Sequence, residues 1–143
     1  MRIVLAVEWL KASYSDLAVV EEIIDNSFLT HMVAFHCHQS VEKSLKALLE
    51  FYNSNVPKKH DLLLLQNLTN LYLTTENTDT LEDLNELYID SRYPGDMGLL
   101  PYGKPKIEDA KEFYSVANGI FQQVCTLLNV STHEIRAEPD SFL

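Results

Sequence analysis

Between Thr30 and Tyr52 apolar side chains return every three or four positions, at Ala34, Cys37, Val41, Leu45, Leu48 and the ring of Tyr52. That spacing fits an α-helix with one apolar face and excludes a strand, whose faces alternate every two residues. The same stretch carries His36, His38, Gln39, Glu42, Lys43 and Lys46. It therefore predicts a helix that combines a core-packing face with an unusual density of ionisable groups. Asn53-Ser54-Asn55-Val56-Pro57 ends it, because Asn and Ser favour turns and Pro disfavours helix in the residue before it.

Helical spacing extends through the rest of the chain. Residues 3 to 26 place Val4, Leu5, Trp9, Ala12, Asp16, Leu17, Val20 and Ile23-Ile24 mostly three and four apart, with Asp25-Asn26-Ser27 as a stop. A third helix begins at His60 or Asp61, with Asp61 as its N-cap, and continues through the Leu-rich run to Leu73. A fourth covers about residues 80 to 90 with Leu81, Leu84, Leu87 and Tyr88, and the last covers about 107 to 128. Three Pro and three Gly fall within the twelve residues from Pro94 to Pro105, which marks the one long loop. No segment sustains a period of two. The expected fold is all-α, an up-and-down bundle of four to five antiparallel helices with one long loop before the last helix. One domain spans residues 1–130, followed by a flexible C-terminal tail at 131–143.

At 143 residues the chain is long enough to bury a real core. No apolar stretch reaches the roughly 18–20 residues of a membrane span. The N-terminus lacks the apolar length and small-residue cleavage site of a signal peptide, and the two cysteines, Cys37 and Cys125, sit at core-like helical positions. These features lead to an expectation of a cytoplasmic protein with free thiols and no membrane contact. The formal net charge of −10 argues against broad nucleic-acid binding, which depends on Lys and Arg at phosphates. Residues 61 to 91 hold no Lys or Arg, so the cations are concentrated elsewhere and a local basic site remains open.

On a helical wheel His38 falls inside the apolar arc of residues 34 to 52 and Glu42 at its edge, whereas His36, Gln39, Lys43, Lys46 and Glu50 share the opposite side. His38 and Glu42, one turn apart, read as a structural polar pair joined by an intrahelical hydrogen bond, or alternatively as an acid/base pair. Gln39, Lys43 and Lys46 read as a wet helix face, or as a face that receives a phosphate. His36 and His38 point about 160° apart, so they cannot chelate one ion, and His38 with Glu42 supplies too few ligands for zinc; no metal and no cofactor is expected. Arg92, beside Tyr93 and before Pro94-Gly95, is the strongest single cation for chemistry. It either complements a helix C-terminus or converges with His60 and a lysine on an anion.

The ordered pieces Gln39, Glu42-Lys43, Leu45-Lys46-Ala47, Pro57, His60-Asp61-Leu62, Leu84-Asn85, Tyr88 and Ser91-Arg92-Tyr93-Pro94 resemble a HEPN domain, the higher eukaryotes and prokaryotes nucleotide-binding family. The resemblance implies a helical bundle that forms a homodimer. It also implies a small prokaryotic protein working beside a minimal nucleotidyltransferase, in a toxin–antitoxin arrangement. Many relatives are metal-independent ribonucleases that use an Arg followed four to six residues later by a His. Here the first His after Arg92 is His133, so that signature is absent and enzyme activity is not expected to carry over. The expectation is a module that binds a nucleotide or a nucleotidyltransferase partner, with Gln39, Lys43, Lys46, His60, Arg92 and Tyr93 as ligand-binding residues. The alternatives are an endoribonuclease with an atypical site, using Arg92 with His36, His38 or His60, and a purely structural interaction domain.

Overall fold

A computed structural model of the chain describes residues 2–90 and 104–137. Six α-helices and one short 3-10 turn account for the regular structure, and no strand occurs among the described residues. The chain is all-α, as the periodicity predicts. The helices are α1 (Ile3–Ile23), α2 (Thr30–Phe51), α3 (Leu62–Thr69), α4 (Thr78–Asp90), α5 (Ile107–Leu127) and α6 (Thr132–Arg136), with the 3-10 turn Ser27–Leu29 ahead of α2.

Residue pairs set the directions. Arg2 meets Glu50, Trp9 meets Lys46 and Asp16 meets His36, so α1 and α2 are antiparallel. Tyr14 meets Phe121 and Glu21 meets Tyr114, so α1 is also antiparallel to α5. α2 is the central element and packs against α1, α3, α4 and α5. That position explains why 14 of its residues are buried, several of them polar. The wheel identifies which residues share a face; it does not reveal that α1 and the segment before α3 cover the second face.

Capping follows local chemistry. Asp61 accepts hydrogen bonds from the backbone N–H groups of Leu63 and Leu64 at 3.0 and 3.3 Å, as an N-cap should. α2 and α5 both end in a left-handed Asn, Asn53 at φ 56° and Asn129 at φ 55°. In each case the next N–H reaches back to the third-last helical carbonyl, Ser54 to Leu49 and Val130 to Cys125, which closes a Schellman motif. α3 is shorter than the Leu run suggests. Thr69 returns its hydroxyl to the Leu65 carbonyl at 2.7 Å, and the chain turns there, burying Leu73 and leaving Leu71 exposed.

One expectation is refined and another falls on residues outside those described. The segment after residue 130 is not uniformly loose: Ser131 caps α6, Ile135 is buried and Arg136 lies over the Tyr14 ring. The long loop around Pro94–Gly103 falls outside the described residues. Among the described residues no helix is long and apolar enough to cross a membrane. Cys37 and Cys125 are free and buried, and burial pushes both thiols up, Cys125 to about 11.

The crossing of α1 and α2 is closed by three serines. Ser13 Oγ donates to the Ser40 carbonyl at 2.8 Å and lies 2.8 Å from each of the Ser40 and Ser44 hydroxyls. All three residues are fully buried. Their small side chains let the backbones approach, and the cluster satisfies the hydroxyls it buries.

Candidate functional site

Glu42 anchors a polar cluster at the edge of the core. Its side chain is only 5% exposed, yet both oxygens are bonded. Lys46 Nζ donates to Oε2 at 2.9 Å, one turn along α2. His60 Nδ1 donates to Oε1 at 2.9 Å and lies 3.1 Å from Oε2. Lys46, itself buried, has its ammonium 5.7 Å from the centre of the Trp9 ring. The carboxylate therefore has an ammonium on its inner side and an imidazole on its outer side.

His60 is 47% exposed. With Nδ1 held by Glu42, its other nitrogen, Nε2, is the one left for a ligand. A neutral ring offers a lone pair there and a protonated ring offers an N–H. The segment that carries His60 is fixed from three sides. His38 Nε2 donates to the His60 carbonyl at 2.8 Å, Leu62 N–H donates to Asn85 Oδ1 at 2.9 Å, and Asn85 Nδ2 donates to Asp61 Oδ1 at 2.9 Å.

His38 is fully buried and stacks on Tyr88, with ring centres 4.1 Å apart and planes 10° from parallel. Because a carbonyl only accepts, the proton sits on Nε2, which leaves Nδ1 as acceptor toward Gln39 Nε2 at 3.4 Å. Burial pushes His38 down to about 4. The Glu42 carboxylate, the His60 carbonyl and the Asn85 side chain oppose that shift without overcoming it. The hydrogen bond expected between His38 and Glu42 is not formed: Nδ1 and Oε1 are 3.9 Å apart, and both are acceptors when His38 is neutral. The two residues belong to one cluster but are joined through His60.

This predicts an acid-sensitive core. The folded value of His38 lies below the ordinary 6.5 of an unfolded chain. Stability is therefore complete above pH 6.5 and falls as the pH drops towards 4, by roughly 3 kcal/mol from this residue. Urea midpoints measured from pH 7 to pH 4 should fall more steeply for the native chain than for His38→Gln. Equal slopes would remove His38 as the cause.

The remaining residues singled out in the sequence are placed differently. Lys46 is buried against Glu42, so it is not on an open phosphate-binding face. Lys43 is bonded to Asp16 Oδ2 at 2.7 Å, and its side chain is 25% exposed. Gln39 is partly buried beside His38. Arg92 and Tyr93 lie outside the described residues. Sequence reasoning gave Asp16, Asn85 and Tyr88 no place in the site. The available signal was Asp16 itself, an acidic residue at an apolar position of α1. Among the described residues no group of three or more His, Cys, Asp and Glu side chains is placed to hold a metal ion.

Residues 6–127 match the model of the HEPN domain. The chain belongs to the HEPN family. The match takes in α1 from its fourth residue onward and all of α2 to α5, with Asp16, Glu42, Lys46, His60 and Tyr88, and it ends ahead of α6. Comparison with curated proteins and with solved structures finds no match. Membership accounts for a nucleotide-binding or ribonuclease-like module in general terms. Within this HEPN domain the candidate site is the Glu42–His60 dyad, backed by Lys46 and packed against His38, Asn85 and Tyr88.

Proposed function

We propose that this HEPN protein binds a nucleotide through its phosphate at the outer edge of His60. The observation that carries this reading is a half-exposed imidazole whose inner nitrogen is held by a buried carboxylate. Such a ring is oriented before the ligand arrives, which lowers the ordering cost of binding. Gln39, Arg92 and Tyr93 complete the set of ligand-contacting residues in this proposal. Arg92 comes two positions after the last residue of α4 in the sequence, and the Tyr88 ring of α4 lies 5.4 Å from His60. Lys46 is bonded to Glu42 at 2.9 Å and contacts no ligand in this proposal.

The family resemblance extends the proposal to a homodimer that works beside a minimal nucleotidyltransferase, as half of a toxin–antitoxin pair. Titration calorimetry with nucleoside mono-, di- and triphosphates should give saturable heat, with affinity about tenfold weaker in His60→Ala, the scale of one charge-assisted hydrogen bond. If no nucleotide gives heat, and Arg92→Ala leaves capture of a nucleotidyltransferase unchanged, the reading fails.

The same dyad favours a second reading, a metal-independent endoribonuclease. A carboxylate-held imidazole is a general base arrangement, and His60 is far more open to a substrate than buried His38. RNA cleavage that disappears in His60→Ala would support this reading, and cleavage that persists in His60→Ala with Arg92→Ala would mark a contaminant.

A further inference from the structure

One face of α5 is open to solvent. Glu112, Ser115, Gly119, Gln123 and Thr126 stand three or four positions apart and are all exposed. Beside them runs the segment that links α3 to α4. Between the two lie a cavity of about 380 Å³ bordered by Tyr72, Leu73 and Leu127, and one of about 170 Å³ bordered by Asn77, Glu112 and Gly119. Gln123 borders both, so they join into one groove. From Glu112 to Leu127 the helix beside it is roughly 22 Å long, at about 1.5 Å per residue.

The two ends of the groove differ in chemistry. At one end Leu127 is 43% exposed, and Leu71, next in the chain to Tyr72, is 89% exposed. At the other end Glu112 begins an acidic edge. Asp109, one turn before it on α5, acts on Asp83 of α4 together with Asp79, Glu82 and Glu86. Burial raises the Asp83 carboxyl above its ordinary value, and these four acids raise it further. Among the described residues Asp79, Glu82, Asp83, Glu86 and Glu112 form no ion pair and no side-chain hydrogen bond. Lys111, the one cation within α5, is directed to Asp25 at 3.9 Å.

Gly119 has no cause within the chain. Glycine in a helix interior is less favourable than alanine. A Cβ at this position would meet no atom within 4 Å, and the backbone is not left-handed there, so neither a close neighbour nor a turn requires glycine. Its effect is to leave the middle of the groove open to the backbone of an approaching element.

An occupant has to answer unpaired carboxylates at one end and apolar surface at the other. A second copy presenting the same face supplies no Lys or Arg to that acidic edge. An amphipathic helix laid in a groove anchors itself at the same three- and four-residue spacing that α5 displays. We infer that the groove receives a basic amphipathic helix of a partner protein, about four turns long, with Lys or Arg towards α4 and apolar side chains towards Tyr72 and Leu127. The groove shares no residue with the Glu42 cluster, and the inference stands apart from the reading of His60.

Fluorescence anisotropy with the full chain and a labelled Leu/Lys peptide of helical period, about 16 residues long, tests the inference. One control peptide has every Leu replaced by Ser, and the other has every Lys replaced by Glu. The Leu/Lys peptide should bind at least about tenfold more tightly than either control. Gly119→Leu should weaken it about tenfold and Glu112→Lys about fivefold. Glu22→Lys makes the same charge change on the exposed face of α1 and should leave affinity within about twofold. Gly119→Ala separates binding from folding: its urea midpoint should rise, because Ala is the better helix former, while its affinity for the peptide falls. Equal losses in Glu112→Lys and Glu22→Lys would reduce the contact to net charge, and full affinity in Gly119→Leu would put the peptide elsewhere. Either result overturns the inference. Sedimentation that shows a native dimer dissolved by Gly119→Leu also overturns it, because the groove would then hold a second copy.

Discussion

Glu42→Leu is expected to destabilise the fold by about 3–5 kcal/mol, the cost of leaving a buried charge without its partner. The orphan would be Lys46, 6% exposed and enclosed by Trp9 and α2. The magnitude follows from burial, not from the count of ion pairs. Arg2–Glu50 at 3.7 Å and Lys111–Asp25 at 3.9 Å have at least one well-exposed partner, and pairs of that kind contribute about 0–1 kcal/mol. Urea unfolding of Glu42→Leu, Lys46→Met and the double variant tests the argument. The double variant removes both charges and should recover most of the loss, since replacing a buried pair by apolar residues of similar size is often neutral or stabilising. If the single variants unfold at the native midpoint, Lys46 reaches water and the cluster is not buried. If the double variant is no more stable than Glu42→Leu, the loss comes from packing.

The second large effect is expected from Phe121→Ala, also about 3–5 kcal/mol. Phe121 is fully buried on α5 and faces Tyr14 of α1, with ring centres 6.0 Å apart and planes tilted by 36°. Truncation loses the transfer free energy of the ring and leaves a cavity between two long helices that cannot close independently. Phe121→Leu should recover more than half of the loss by filling much of that volume. Leu71→Ala provides the contrast: Leu71 is 89% exposed, and its replacement should change stability by no more than about 0.5 kcal/mol. A Phe121→Ala loss as small as that of Leu71→Ala would mean that α1 and α5 are not packed through this ring.

The helices were legible because their apolar residues follow one period and their ends carry recognisable chemistry, such as Asp61 at the start of α3 and Asn53 at the end of α2. The site was less legible for a geometric reason. A wheel drawn on α2 separates His38 and Glu42 from Lys43 and Lys46, but α2 is covered on both sides, so the second set is not a wet face. Lys46 turns back to Glu42 within its own helix, and Lys43 meets Asp16 from a helix 27 residues away. His60 could be named from its place before Asp61. Its partner could not, because 18 residues separate it from Glu42 in the chain.

The serine crossing of α1 and α2 fixes how the two helices are set against each other. Three hydroxyls that satisfy one another within 2.8 Å accept only one setting of the two helices, and a slide by one residue, about 1.5 Å, breaks them all. Asp16 on one helix and His36 and Lys43 on the other are therefore held as a fixed wall. His60 stands on a separate piece of chain, latched by the side chains of His38 and Asn85. The imidazole of His60 is thereby set against Glu42 from outside the α1–α2 frame, by contacts that do not depend on the serine crossing.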